Sequence, residues 1–212
     1  VINRRALLLG ATLAVATMPR STSAKVLLQP EAFAYRAFIS EHRDPPSDAI
    51  RFVASSVFQF SSTSDATLGV AHLANLREFE DRGEIYVVDL VPIEDIPDHF
   101  GDRNWFVTYT IIAGAAAFET HHAHALFVTG NLLHEIEITG HDPLVTTNLL
   151  MDLASHELAT SGNEQTLESN LVELEELPDD LELYREVASS GTGTEFGTPV
   201  SEDVPDWDHI EY

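Results

Sequence analysis

Two runs rich in apolar and β-branched residues, Phe118 to Thr129 and Leu132 to Thr139, meet at Gly130-Asn131. This junction restricts the fold more than any other stretch of the chain. A Gly-Asn pair between two such runs is the signal of a tight β-hairpin. The register follows from the turn: Thr129 faces Leu132, Phe127 faces His134 and His124 faces Glu137. Side chains alternate along a strand. One face of the hairpin therefore collects His121, Ala123, Ala125, Phe127, His134, Ile136 and Ile138. The other collects His122, His124, Leu126, Val128, Leu133, Glu135 and Glu137.

The flanking segments extend this pattern. Lys25 to Ala34 reads as an extended lead-in, and Arg43-Asp44-Pro45-Pro46-Ser47-Asp48 as a loop. Ile50 to Phe60 reads as a strand. A helix follows, with Ser62, Thr63 or Ser64 as N-cap, a buried stripe of Ala66, Val70, Leu73, Leu76 and Phe79, and Gly83 at its end. Ile85 to Val88 and Trp105 to Ala113 read as further strands. Asp142 is suited to cap a second helix with Pro143 in its first turn, running to about Leu158 and burying Leu144 or Val145, Leu149, Met151 or Leu153, and Leu158. The order β-α-β-β-β-β-α predicts an α+β fold, a twisted, mainly antiparallel sheet with both helices on one face. The expected organisation is a segment at 1–24, a single domain over 25–160 and an acidic tail over 161–212. Within that tail Leu167, Leu171, Leu174 and Leu177 form a helical stripe cut by Pro178, and the composition from Ser189 onward suits disorder.

Acidic residues number 35 against 11 Lys plus Arg, for a formal net charge of −24. The excess is spread along the chain, with 20 acids to 7 bases over 25–160 and 15 to 1 beyond. In dilute buffer such a charge repels itself and opposes compaction. At about 1 M salt the screening length falls to roughly 3 Å, so the composition suits a chain that folds in brine. It supplies no basic face for nucleic acid. Cysteine is absent, which excludes disulfides, thiol catalysis and cysteine-ligated metals.

The first residues carry a different signal. Arg4-Arg5 precedes an apolar run, Ala6 to Met18, and the small-residue stretch Ser21-Thr22-Ser23-Ala24. The run is too short to span a bilayer and has the form of an export signal with a paired-arginine start. Signal and composition together resemble uncharacterised exported proteins of halophilic archaea that carry twin-arginine signals. That resemblance implies an extracellular or cell-surface location, with retention by an uncleaved signal as the one route to membrane attachment. Ile50 to Leu158, including Phe127-Val128-Thr129-Gly130-Asn131-Leu132-Leu133, resembles small extracytoplasmic α+β domains of the PsbP-like or Mog1-like kind. The resemblance carries no catalytic residue across.

Chemistry in this chain rests on its histidines. His122, His124 and Glu137 share a hairpin face, with Glu135 nearby, and two imidazoles with a carboxylate could hold zinc or another divalent cation. The competing reading is a sheet face with cross-strand His–Glu pairs. His134, on the apolar face, reads as a core histidine with its hydrogen bonds satisfied. The loop Glu94 to Asn104 concentrates oxygen ligands without EF-hand spacing. His156-Glu157 falls short of a zinc-protease motif, because position 160 is threonine. No nucleophile stands in a recognisable motif. The expectation is a non-enzymatic exported domain that binds a small ligand or an envelope partner, with a metal-binding protein or metal-dependent hydrolase as the alternative.

Overall fold

A computed structural model describes residues 28–40, 50–78, 85–94, 96–97, 100, 103–113, 118–161 and 166–190. The segment 1–24, Phe79, Gly83 and the residues from 191 onward lie outside them. The hairpin forms as its turn dictates. Strands β5 (Phe118–Thr129) and β6 (Leu132–Gly140) pair with Phe127 opposite His134 and His124 opposite Glu137. Gly130 adopts φ +60°, a left-handed conformation that strains other residues. A Cβ there would meet nothing within 4 Å, so the requirement is conformational and not steric. Asn131 docks the turn by donating its side-chain amide to the Phe60 carbonyl at 2.8 Å, and the Phe60 amide donates to the Asn131 carbonyl at 2.9 Å.

Five more strands complete one antiparallel sheet: β1 (Ala32–Ser40), β2 (Ile50–Gln59), β3 (Ile85–Pro92), β4 (Asn104–Ala113) and β7 (Leu181–Ser190). Their order is β3-β4-β5-β6-β2-β1-β7. The fold is α+β, as the strand pattern implies. Helix α1 (Thr63–Glu78) starts at Ser62, whose hydroxyl accepts from the Asp65 amide at 3.1 Å. Helix α2 (Pro143–Thr160) starts at Asp142, whose carboxylate accepts from the Leu144 and Val145 amides.

The helices divide between the two faces instead of sharing one. Ala66, Val70 and Leu73 of α1 pack with Phe33, Phe58, Leu126 and Leu133. Leu150, Leu153 and Ala154 of α2 pack with Phe38, Val53, Ala123, Ala125, Phe127, Ile136 and Ile138. Adjacent residues Leu126 and Phe127 are both 0% exposed, so β5 is buried on each side. One helix layer cannot cover both sides of a sheet.

The domain also continues past the expected boundary at 160. After α2 the chain crosses the α2-covered face through short 3-10 turns at Leu167–Asn170 and Leu174–Glu176, then enters β7 beside β1. Leu171, Val172, Leu177 and Leu181 are buried, whereas Leu174 is exposed. The expected helical stripe is thus a strap of turns, fixed by apolar contacts and by Arg36. That guanidinium donates to the Val172 carbonyl at 3.1 Å and pairs with Glu173 at 2.9 Å and with Glu186. Of the lead-in read over Lys25 to Ala34, residues 25–27 lie outside the described residues and Ala32 to Ala34 open a strand, β1, that continues to Ser40 between β2 and β7. In α2, Leu144 is exposed, and the fully buried positions are Thr146, Leu150, Leu153, Ala154 and Glu157.

If the strap belongs to the core, Leu171→Ala costs about 2–5 kcal/mol, while Leu174→Ala stays within about 0.5 kcal/mol. Denaturant unfolding of both variants in molar salt measures the difference; equal, negligible losses would return the segment to a tail.

Candidate functional site

Histidines reach the sheet interior from both faces of the β5–β6 hairpin. On the α1 side, His124 is fully buried, and its Nε2 lies 3.0 Å from Glu135 Oε1. His122 is held at both nitrogens, with Nδ1 3.1 Å from Thr139 Oγ1 and Nε2 3.1 Å from Thr120 Oγ1; Glu137 Oε1 is 3.5 Å from Nδ1. Tyr109 stacks on His122 at 4.9 Å, and Trp105 meets His124 edge-on at 5.4 Å.

The four residues singled out by spacing, His122, His124, Glu135 and Glu137, do share this face. They do not converge. Each histidine pairs diagonally, His124 with Glu135 and His122 with Glu137, although His124 and Glu137 are the directly opposed residues. Sheet twist makes the two diagonals of a cross-strand pair unequal and favours one set of partners. Among the described residues no group of three or more His, Asp or Glu side chains is placed to hold a metal ion. His122, His124 and Glu137 therefore form the alternative arrangement of separate His–Glu pairs. In the loop Glu94 to Asn104, Asp95, Asp98, His99, Gly101 and Asp102 lie outside the described residues. Phe100 is buried there against Phe106 and Phe127.

The same face carries Tyr35, whose phenol is pushed up to about 12, first by burial and then by Glu137; Glu135 and Tyr184 add to the shift and Arg185 opposes it. Tyr35 is thus a neutral donor or acceptor at any pH the protein meets. His124 Nδ1 is buried without a hydrogen-bond partner.

On the α2 side, His134 is buried and stacked on Phe127 at 4.7 Å. Its Nε2 lies 2.7 Å from Thr129 Oγ1 and its Nδ1 3.2 Å from Glu157 Oε2. The Ser55 hydroxyl donates to Glu157 Oε1 at 2.8 Å and accepts from the Val172 amide at 3.4 Å. One chain of hydrogen bonds thus joins β5, β6, α2, β2 and the strap. The core-histidine reading of His134 matches this geometry. Glu157 and Ser55 were not anticipated as its partners. The signal was present but faint: Glu157 falls three residues after Ala154 and four after Leu153, on the helix's buried stripe. Burial raises the Glu157 pKa above its ordinary value, while the hydrogen bond and charge of His134 work against the shift. No path from solvent is evident: the histidine is 0% exposed and the carboxylate 2%. The network is built to hold elements together. At the surface, His156 of α2 pairs with Glu176 of the strap at 2.8 Å.

No family model and no curated protein matches the chain. Among solved structures, it is similar to the extracellular domain of PknH from Mycobacterium tuberculosis, with 14% identity over 57% of this chain and 60% of that one, and a TM-score of 0.38. The chain therefore spans three fifths of that domain's length. It is also similar to PA94, a protein of unknown function from Pseudomonas aeruginosa, with 11% identity over 71% of this chain and 96% of that one, and a TM-score of 0.31. Both likenesses are partial, and neither transfers a functional residue.

Two outcomes follow from the pairing. His124→Ala leaves the Glu135 carboxylate without its imidazole and lowers unfolding free energy by about 3 kcal/mol, whereas zinc added to the wild type leaves the unfolding midpoint in place. Zinc-dependent stabilisation lost in His124→Ala would restore a metal site. For Glu157 the sign is set by its raised folded pKa. Its contribution is complete below the ordinary carboxyl value of 4.5 and declines as pH climbs through the raised value. Glu157→Gln, neutral at every pH, removes that decline. Unfolding measured from about pH 5 to pH 9 should therefore show the variant gaining steadily on the wild type; parallel profiles would contradict the assignment.

Proposed function

We propose that the chain is an exported, salt-adapted, non-enzymatic domain that binds a ligand or an envelope partner at the cell surface. One observation carries the salt reading. Residues 166–190 of the acidic segment are part of the folded surface, and Glu168, Glu175, Asp179 and Glu182 lie exposed on the strap and β7. Like charges held on a folded surface repel in dilute buffer and are relieved when salt shortens the screening length. Arg185 is the only Lys or Arg beyond residue 160. A flexible tail could relax such repulsion by extending; a paired strand cannot.

The binding reading rests on how the buried histidines are used. His122 and His134 are engaged at both nitrogens, and His124 is engaged at one by Glu135. Each is committed to a hydrogen bond within the sheet or its cover, which supports a structural use over proton transfer to a substrate. Export rests on the Arg4-Arg5 segment. Among the described residues no helix is long and apolar enough to cross a membrane.

Salt and signal are tested separately. The unfolding midpoint of the chain should rise steeply between dilute and molar KCl, and a midpoint indifferent to salt overturns the adaptation. Arg4→Lys combined with Arg5→Lys should leave the protein in the cytosolic fraction of the cells that make it, whereas undiminished export overturns the signal.

A further inference from the structure

Residues 166–180 cover the sheet without pairing to it. Among the described residues, their backbone bonds only to itself and to the first residue of β7. The Ser169 amide donates to the Thr166 carbonyl, Leu171 to Glu168, Glu176 to Glu173, Leu177 to Leu174 and Leu181 to Pro178, at 3.1 to 3.3 Å. Side chains supply the rest of the attachment. Leu171, Val172 and Leu177 are buried, with Leu171 packed on Ala34 and Val57. Val172 is held at both its backbone groups: its amide donates to Ser55 Oγ at 3.4 Å, and its carbonyl accepts from Arg36 at 3.1 Å. An element bonded within itself and tied down by a few side chains can leave the sheet in one piece, at the loss of few hydrogen bonds.

Closure carries costs. Asn170 Oδ1 is buried with no hydrogen-bond partner among the described residues, and Glu176 Oε1 lies 2.8 Å from His156 Nε2 without the alignment of a hydrogen bond. Glu157 is the larger matter. Its carboxyl is 2% exposed and reaches the strap through Ser55, which donates to Oε1 at 2.8 Å and accepts from Val172. The titratable groups nearest to it are His134 of β6, 3.2 Å from Oε2, and Glu176 of the strap. His156 of α2 faces Glu176, and Arg36 of β1 pairs with Glu173 and Glu186 and carries its charge throughout. Burial is the largest influence on Glu157 and disfavours its charge, as does Glu176; His134 and the Ser55 hydrogen bond favour it.

We propose that the strap is a lid which opens as a unit, and that ionisation of Glu157 drives the opening. Once hydrated, Glu157 ionises near the ordinary carboxyl value of 4.5, whereas under the closed strap it ionises only above that value. Opening therefore releases a proton. The closed form is complete below 4.5 and gives way as pH climbs through the raised value. Between the two ionisation points the open fraction grows by about tenfold per pH unit. Glu176 lies on the moving part, so its repulsion from a charged Glu157 acts on the lid directly. Water then reaches Glu157 and Asn170, and Ala34 and Val57 are laid open on the sheet. The device does not depend on what the domain binds.

The test is amide hydrogen exchange of the full chain in about 1 M KCl, read by mass spectrometry from about pH 5 to about pH 9 and corrected for the intrinsic pH dependence of exchange. Peptides over 166–180 should exchange through an opening that leaves α2, β5 and β6 protected, and this opening should grow by up to about tenfold per pH unit. Glu157→Gln flattens that slope. His156→Gln alters an exposed group and leaves the slope in place, and Arg36→Gln raises strap exchange at every pH without changing the slope. These two variants decide the matter if Glu157→Gln fails to fold. Strap amides that exchange only together with α2, β5 and β6 overturn the lid. A slope that is absent in the wild type, survives in Glu157→Gln or vanishes in His156→Gln overturns Glu157 as its driver.

Discussion

Two-sided burial of the central strands is the constraint on which the rest of this structure depends. Leu126 and Phe127 follow one another along β5 and point in opposite directions, yet neither is exposed; Leu133 and His134 do the same on β6. A sheet with one wet face cannot accommodate this. Each side needs its own cover. Helix α1 supplies one, and α2 with the strap supplies the other. Because the second cover is completed by residues 166–181, the chain recrosses the sheet after α2, and β7 then joins the edge of β1. Residues 166–181 of the acidic segment are folded because the core needs their leucines.

Burial of this extent brings polar groups inside, and the molecule resolves them in pairs. Glu157 enters the core on the stripe that otherwise carries leucine and alanine, and His134, Ser55 and the Val172 amide meet it there. A buried ion pair adds little over a well-packed apolar substitute, but a broken one costs several kcal/mol. The consequence for this fold is positional: sliding α2 by one turn would leave both the carboxylate and the imidazole unpartnered. His124 and Glu135 solve the same problem on the opposite face. Of the histidines that look like chemistry in the sequence, His134 registers a covering helix on the sheet, and His122 and His124 tie neighbouring strands together.

Much of this was legible in local pattern. The Gly130-Asn131 turn specified the β5–β6 register to the residue, and with it the face on which each histidine lies. Ser62 and Asp142 marked the helix starts through their hydrogen-bonding side chains. Strand β1 was harder. Its burial runs in adjacent pairs, Phe33 with Ala34 and Ala37 with Phe38, so the alternation that marks a half-buried strand is missing. Strand β7 and the strap were concealed for the opposite reason. Their glutamates lower the mean hydropathy, and spacing of Leu167, Leu171, Leu174 and Leu177 imitates a helix, although only Leu171 and Leu177 are buried. Sharing a face does not decide which diagonal a side chain takes, so the spacing placed His122, His124 and Glu137 together without foreseeing that His124 pairs with Glu135 and His122 with Glu137.

By itself the sequence determined what short-range chemistry and composition fix: the hairpin and its register, the two helix starts, the α+β class and a strongly negative charge. Turns, caps and strand alternation act within a few residues, where neighbours along the chain are also neighbours in space. Tertiary structure alone decided that the helices take opposite faces, that residues 166–190 complete the cover and pair with β1, and that Glu157 finds His134. Each of these joins residues whose proximity is set by the packing of whole elements, through the need to exclude water from both sides of one sheet.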